Sequence, residues 1–290
     1  MIERTKTQPS PGEALSKVIK IPKFRGSLAA RPLYIYLPPG YHDHPERHYP
    51  VIYFHDGQNC FQAYAEDSYT GNTWRADEIA EQLITDGRMR ATILVGVSHG
   101  GKRRIAEYLP EYITYLPEYR PAHKNGFSTP VHGRADRTAR YYLRDIAGYI
   151  AGNYRILTSR EDTATIGSSM GGLFSTYLAW EHPEFARHHA ILSPSYWITR
   201  NQKGSLEIVD RIQTVERPDV RLWLSNGQFD RPGEGDDNGD VTSAGRDVLL
   251  EKGFSEGDNF RYYYDKGAIH EEKAWARILP EIFQFLFPLT

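Results

Sequence analysis

Gly167-Ser168-Ser169-Met170-Gly171 sets a serine between two glycines at the end of a β-prone run, Thr163 to Ile166, and just before a helix-compatible one, Leu173 to Trp180. That is the spacing of a nucleophile elbow. The serine of such an elbow sits on a sharp strand-to-helix turn, where side chains two residues to either side would strike the closely approaching backbone. Only Ser169 fits the central position, because Ile166 stands where a glycine would be needed for Ser168. The turn lifts the Ser169 hydroxyl above the sheet edge. It leaves the amide of Met170 at a helix N-terminus, aimed at a developing oxyanion.

A serine nucleophile needs a base and an acid that orients the base. On this type of fold they follow in chain order, on loops after later strands. His270 lies just past the last strand candidate in "FRYYYDKGAIH" and before the last helix. His182, His188 and His189 fall in the helix after the serine or before the next strand, and His42, His44, His48, His123 and His132 precede the serine. For the acid, "VRLWLSNGQFDRPGEGDDNGD" offers Asp230 as the first carboxylate beyond the strand, with Glu234 as the alternative. Asp236 and Asp237 read as solvated acids of a Gly-rich turn, whose oxygens lack the alternating spacing of a calcium loop. The second oxyanion donor is expected on the turn after an early strand. Asp56-Gly57-Gln58-Asn59 supplies it, with the Gln58 amide as donor.

The elements that must hold these residues follow a β-α rhythm. Strand candidates are Leu33 to Leu37, Val51 to His55, Thr92 to Val97, Ala164 to Gly167, Ala190 to Leu192, Val220 to Leu224 and Phe260 to Tyr264. Helical patterns cover Arg75 to Ile84, Ala139 to Tyr154, Gly172 to Glu181, Leu206 to Gln213, Ser243 to Lys252 and Lys273 to Phe287. The expectation is an α/β-hydrolase fold: one domain over residues 1–290, with a mostly parallel central sheet and helices on both faces. A Pro- and Tyr-rich segment at about 108–137 interrupts the rhythm as an inserted or extended loop. It is the natural place for a substrate pocket, with Arg103, Arg104, Tyr112, Tyr115 and Trp197 as lining.

The 290 residues are 40% apolar, enough for a sizeable core. Lys plus Arg number 35 against 37 Asp plus Glu, so no basic excess points to nucleic acid or an anionic membrane. The N-terminal residues lack the apolar run of a signal peptide, no stretch has the unbroken apolar length of a membrane span, and Cys60 has no partner for an internal disulfide. These features read as a soluble, cytoplasmic protein. They do not decide between a monomer and a homo-oligomer.

"YIYLPPGY", "VIYFHDGQNCF", "ILVGVSHGGKRRIAEYLP", "IGSSMGG" and "ILSPSYW" occur in that order. Together they resemble the esterase family of α/β-hydrolases that includes enterochelin (siderophore) esterases, feruloyl and acetylxylan esterases, S-formylglutathione hydrolases and mycolyltransferases. The resemblance runs from about Leu33 to Phe287 and lies nearest the siderophore-esterase-like branch. It implies a serine esterase with Ser169 as nucleophile, His270 as base and an acid after "LWLSNG", where a G-x-x-D arrangement as in feruloyl esterases spans Gly227 to Asp230. It implies a small acyl or aryl ester as substrate and no metal or organic cofactor. A serine peptidase or amidase and a non-catalytic binding protein on the same fold are the alternatives that the residues leave open.

Overall fold

Strand β3 (Val51–His55) is buried at all five positions, and its residues alternate between two cores: Val51 and Tyr53 join one apolar cluster, Ile52 and Phe54 the other. A strand buried on both faces needs a layer of helices on each side, and this is what surrounds it. The computed structural model describes residues 18–119, 124 and 128–289. Its main sheet has eight strands in the order β1-β2-β4-β3-β7-β8-β9-β10. Around β3 these are β1 (Val18–Phe24), β2 (Arg31–Tyr36), β4 (Ile93–Val97), β7 (Thr163–Ser168), β8 (His188–Leu192), β9 (Arg221–Phe229) and β10 (Phe260–Ile269). β4, β3, β7, β8, β9 and β10 run parallel, while β1 and β2 add an antiparallel edge. The expected α/β-hydrolase architecture is therefore the one found.

Among the helices are α1 (Ala76–Thr85), α2 (Arg104–Tyr108), α3 (Ala135–Arg140), α4 (Ala147–Asn153), α5 (Met170–Glu181), α6 (Glu207–Thr214), α7 (Gly239–Glu251) and α8 (Glu272–Leu286). A π-helical turn, Tyr141–Ile146, joins α3 to α4, so the single helix expected there carries an irregular middle. The side chains of α8 pack with Ile52, Phe54 and Trp223 on one face of the sheet. Those of α5 join Tyr53, Ile191 and Leu224 on the other. Helix α5 is buried from Met170 to Trp180, as befits a helix apolar on every side.

Two features differ from the sequence expectation. β1 was not anticipated, because its burial is confined to its ends and its middle faces solvent as an edge strand does. β9 and β10 run five residues past their expected ends. Within the 108–137 segment the chain forms a short antiparallel ribbon, β5 (Thr114–Tyr115) against β6 (Val131–His132). Residues 120–123 and 125–127 of that segment lie outside the described residues. Among the described residues no helix is long and apolar enough to cross a membrane.

Three histidines are enclosed in the fold, and burial holds each below its ordinary pKa: His55 and His189 at about 3, His188 at about 4. The unfolded chain, with ordinary values near 6.5, binds protons that the native state refuses. Stability is whole above pH ~6.5 and falls as pH drops toward 4, by about 1.4 kcal/mol per pH unit for each histidine that stays neutral. Urea midpoints measured from pH 7 to 5 should show this loss, and His189→Asn should flatten it by one proton. An unchanged slope in that variant would mean that His189 is protonated in the folded protein.

Candidate active site

Ser169 stands between β7 and α5 with φ 57° and ψ −121°, a strained positive-φ backbone that costs a non-glycine residue on the order of 1–3 kcal/mol. Neighbouring backbone holds it there. Its amide donates to Leu192 O (2.9 Å), and its carbonyl accepts from the Ser195 amide (3.0 Å). A Cβ on Gly167 would overlap the Gly171 carbonyl and come within 2.7 Å of His55 Cδ2; one on Gly171 would press on His55 Cβ at 3.1 Å. The two glycines of the motif are thus required by close packing of the elbow against the end of β3. Met170 opens α5, so its amide lies at the positive end of the helix dipole.

His270 follows the last residue of β10, and its imidazole is half-enclosed beside Trp275, edge to face at 5.0 Å. Its Nδ1–H donates to the carboxylate of Asp237, which is fully buried. The carboxylate that meets His270 is therefore Asp237, and not the expected Asp230 or Glu234. Asp230 is the first carboxylate after β9, but the chain there turns back on itself: the amides of Asp230 and Arg231 both donate to the Glu234 carbonyl (3.0 Å each). The Asp230 carboxylate faces Lys124 Nζ (2.5 Å), and Glu234 is exposed. Asp237, which reads in sequence as a solvated turn acid, lies where the loop returns to the sheet ahead of α7.

Its environment is built to hold a carboxylate. Asp237 Oδ2 accepts from the Gly227 amide and from Ser193 Oγ (2.7 Å). Ser193 is itself anchored by Asn238 Nδ2 on its carbonyl (2.6 Å) and by Trp275 Nε1 on its hydroxyl (3.3 Å). A sequence signal for this existed in Gly227. A glycine inside a strand marks a close approach, and a Cβ there would sit 2.7 Å from Asp237 Oδ2.

The turn after β3 leaves the sheet beside the elbow, since Phe54 pairs with Ile166 in the adjacent strand. Asp56 begins it in the left-handed region (φ 55°), and Gly57 to Asn59 form one 3-10 turn. Arg104 secures it with two hydrogen bonds, Nε to Asp56 Oδ1 (2.8 Å) and Nη2 to Asp56 Oδ2 (2.7 Å). Burial alone would raise the Asp56 pKa, and the Arg104 guanidinium overrides it and holds the carboxylate below its usual range. The Gln58 side chain accepts from the His99 amide through Oε1 (3.3 Å). Asn59 Nδ2 donates to Glu272 (3.2 Å), tying the turn to the start of α8, two residues beyond His270. Burial pushes the Glu272 carboxyl up.

Ser169 and His270 open into one cleft of about 200 Å³, lined also by Lys124, Ser195, Trp197, Asp230, Arg231 and Asn238. Of the residues expected to bind substrate, Trp197 is there, backed edge to face by buried Tyr115 (6.3 Å). Arg103, Arg104 and Tyr112 are not among the residues of the cleft. Arg103 is exposed near Glu107 (3.6 Å), Arg104 is committed to Asp56, and Tyr112 packs on Tyr177 and under Arg211. The 108–137 segment reaches the cleft through Lys124 instead.

Residues 29–286 match the family model described as "Putative esterase". The chain belongs to that esterase family. YbbA of Bacillus subtilis (strain 168) is 24% identical over 270 residues, 87% of this esterase and 91% of YbbA. Among solved structures, the ferulic acid esterase AmCE1/Fae1A of Anaeromyces mucronatus aligns with a TM-score of 0.65 at 20% identity, over 96% of this chain and 94% of that one. The enterobactin esterase FES of Shigella flexneri aligns with a TM-score of 0.64 at 14% identity, over 92% of this esterase and 59% of its own chain. These structural likenesses carry the α/β-hydrolase fold, and family membership carries carboxylic ester hydrolysis.

Proposed function

We propose that the enzyme is a serine esterase that works through an acyl-enzyme, with Ser169 as nucleophile, His270 as general base and Asp237 as the acid that orients it. The observation that carries this is the cleft: a serine held in a strained elbow shares it with a histidine whose other ring nitrogen is bound to a buried carboxylate. His270 Nε2 takes the Ser169 proton as Oγ attacks the ester carbonyl. The tetrahedral oxyanion is received by the amides of Met170 and Gln58, and one such donor is typically worth about 3 kcal/mol. Collapse expels the alcohol with the proton from His270, and water activated by the same imidazole releases the acid. Asp237 stays ionised and holds Nδ1–H.

A small acyl or aryl ester is the substrate class that suits a cleft of this size with Trp197, Lys124 and Arg231 in its lining. The ferulic acid and enterobactin esterases that share the fold make aryl and siderophore-type esters the first to screen. A fluorophosphonate probe tests the nucleophile directly. One adduct per chain is expected, mapped to the peptide that holds Ser169; an unlabelled but folded protein, or an adduct elsewhere, would overturn the assignment.

A further inference from the structure

Ser193-Pro194-Ser195, the turn after β8, touches both ends of the catalytic array: Ser193 Oγ donates to Asp237, and Ser195 Oγ lies 3.1 Å from Ser169 Oγ. Only the first contact has a part in the mechanism above. Ser195 is not free to drift, because its own amide bonds to the Ser169 carbonyl and its side chain is buried except where it meets the cleft. Its hydroxyl is therefore a fixed neighbour of the reacting oxygen. In the free enzyme either hydroxyl can donate across the pair. Once Ser169 has given up its proton, as alkoxide, ester oxygen or leaving group, only Ser195 can.

We propose that Ser195 is a further catalytic residue, whose hydroxyl donates to Ser169 Oγ and assists the departure of that oxygen when the acyl-enzyme is hydrolysed. The inference rests on Ser169 being the nucleophile. In deacylation, water adds to the acyl carbon as His270 takes a proton from it. The C–Oγ bond then breaks, its electron pair passes to Oγ, and His270 returns the proton to Oγ. Ser195 keeps its own proton throughout and stabilises the charge that gathers on Oγ before the imidazolium delivers. Acylation gains less, because there the same donor also bonds the resting nucleophile and must be overcome for attack. The effect of removing it is therefore concentrated in the second half of the reaction.

The test uses p-nitrophenyl trimethylacetate, whose bulky acyl group leaves slowly. Wild type, Ser195→Ala and Ser195→Thr are acylated, freed of excess ester, and followed by intact mass, with peptide mapping of the adduct and near-UV circular dichroism to check the fold. All three should form the adduct on Ser169 at rates within about threefold. The adduct of Ser195→Ala should decay about 10- to 100-fold more slowly, the range expected for a lost hydrogen bond to a charged atom. That of Ser195→Thr, which keeps the hydroxyl, should decay close to the wild-type rate. Equal decay in Ser195→Ala and wild type overturns the role of Ser195 and leaves the nucleophile standing, as does equal slowing of both steps in both variants. Failure of the wild type to acquire any adduct on Ser169 overturns the serine mechanism itself, and this inference with it.

Discussion

Ser169→Ala should lower kcat for ester hydrolysis on the order of 10⁴- to 10⁶-fold, while leaving the fold and its thermal midpoint nearly unchanged. The size follows from the unity of the array: without Oγ there is nothing for His270 to activate, and what remains is solvent water placed beside the Met170 and Gln58 amides. The stability expectation follows from the backbone. Alanine at φ 57° is no easier to accommodate than serine, and the bonds that clamp residue 169 run from its amide to Leu192 and from its carbonyl to Ser195. Among the described residues the side chain makes one hydrogen bond, to Ser195 at 3.1 Å, so the net change should be about 1 kcal/mol or less. Steady-state kinetics on a chromogenic ester, with thermal melts on the same preparations, check both halves. Turnover within tenfold of wild type would mean that another group is the nucleophile, and a collapsed melting transition would void the comparison.

What made Ser169 and His270, the proposed nucleophile and base, legible in the sequence was geometry enforced by short range. The elbow compresses its requirements into five residues, and each requirement is visible as a residue type: two glycines against His55 and the α5 backbone, a serine in the forced conformation, a β-prone run before and an apolar helix after. His270 was legible because it lies at the junction of a strand and a helix, where chain order and sheet edge leave one choice. Asp237 was not legible by the same logic. Its selection depends on how the nine-residue connection between β9 and α7 folds over, and on partners outside that connection: Ser193 from β8's turn, Gly227 within β9 and Lys124 from the 108–137 segment drawing Asp230 away. The Arg104–Asp56 pair was missed for a related reason. In sequence Arg104 is one basic residue in a run of three, and only the packing of α2 beside the turn after β3 turns it from a substrate ligand into a brace for that turn.

Asp237→Asn against Asp230→Asn is the comparison in which that correction becomes measurable. Asp237 is buried, binds His270 Nδ1–H on one oxygen and two donors on the other, so replacing it with an amide removes the negative charge that stabilises the imidazolium and offers that site a donor where an acceptor is needed. The imidazole then favours the tautomer whose Nε2 already carries a proton and cannot accept one from Ser169. A loss in kcat on the order of 10³- to 10⁴-fold is expected, with KM little altered, since Asp237 itself is not among the residues that line the cleft. Asp230→Asn removes instead a partner of Lys124 at the cleft wall. That ammonium also binds the Asp236 carbonyl (3.1 Å), so the acid loop keeps a tie to the 108–137 segment, and the expected change is within about tenfold and weighted toward KM. The two variants carry the same chemical change seven positions apart in one loop, which cancels effects of loop charge and solubility. A larger kcat loss in Asp230→Asn than in Asp237→Asn would return the acid role to Asp230 and require the loop to rearrange when substrate binds; the reverse order, with His270 labelled by its own kcat loss in His270→Ala, would identify the buried carboxylate as the one that the imidazole needs.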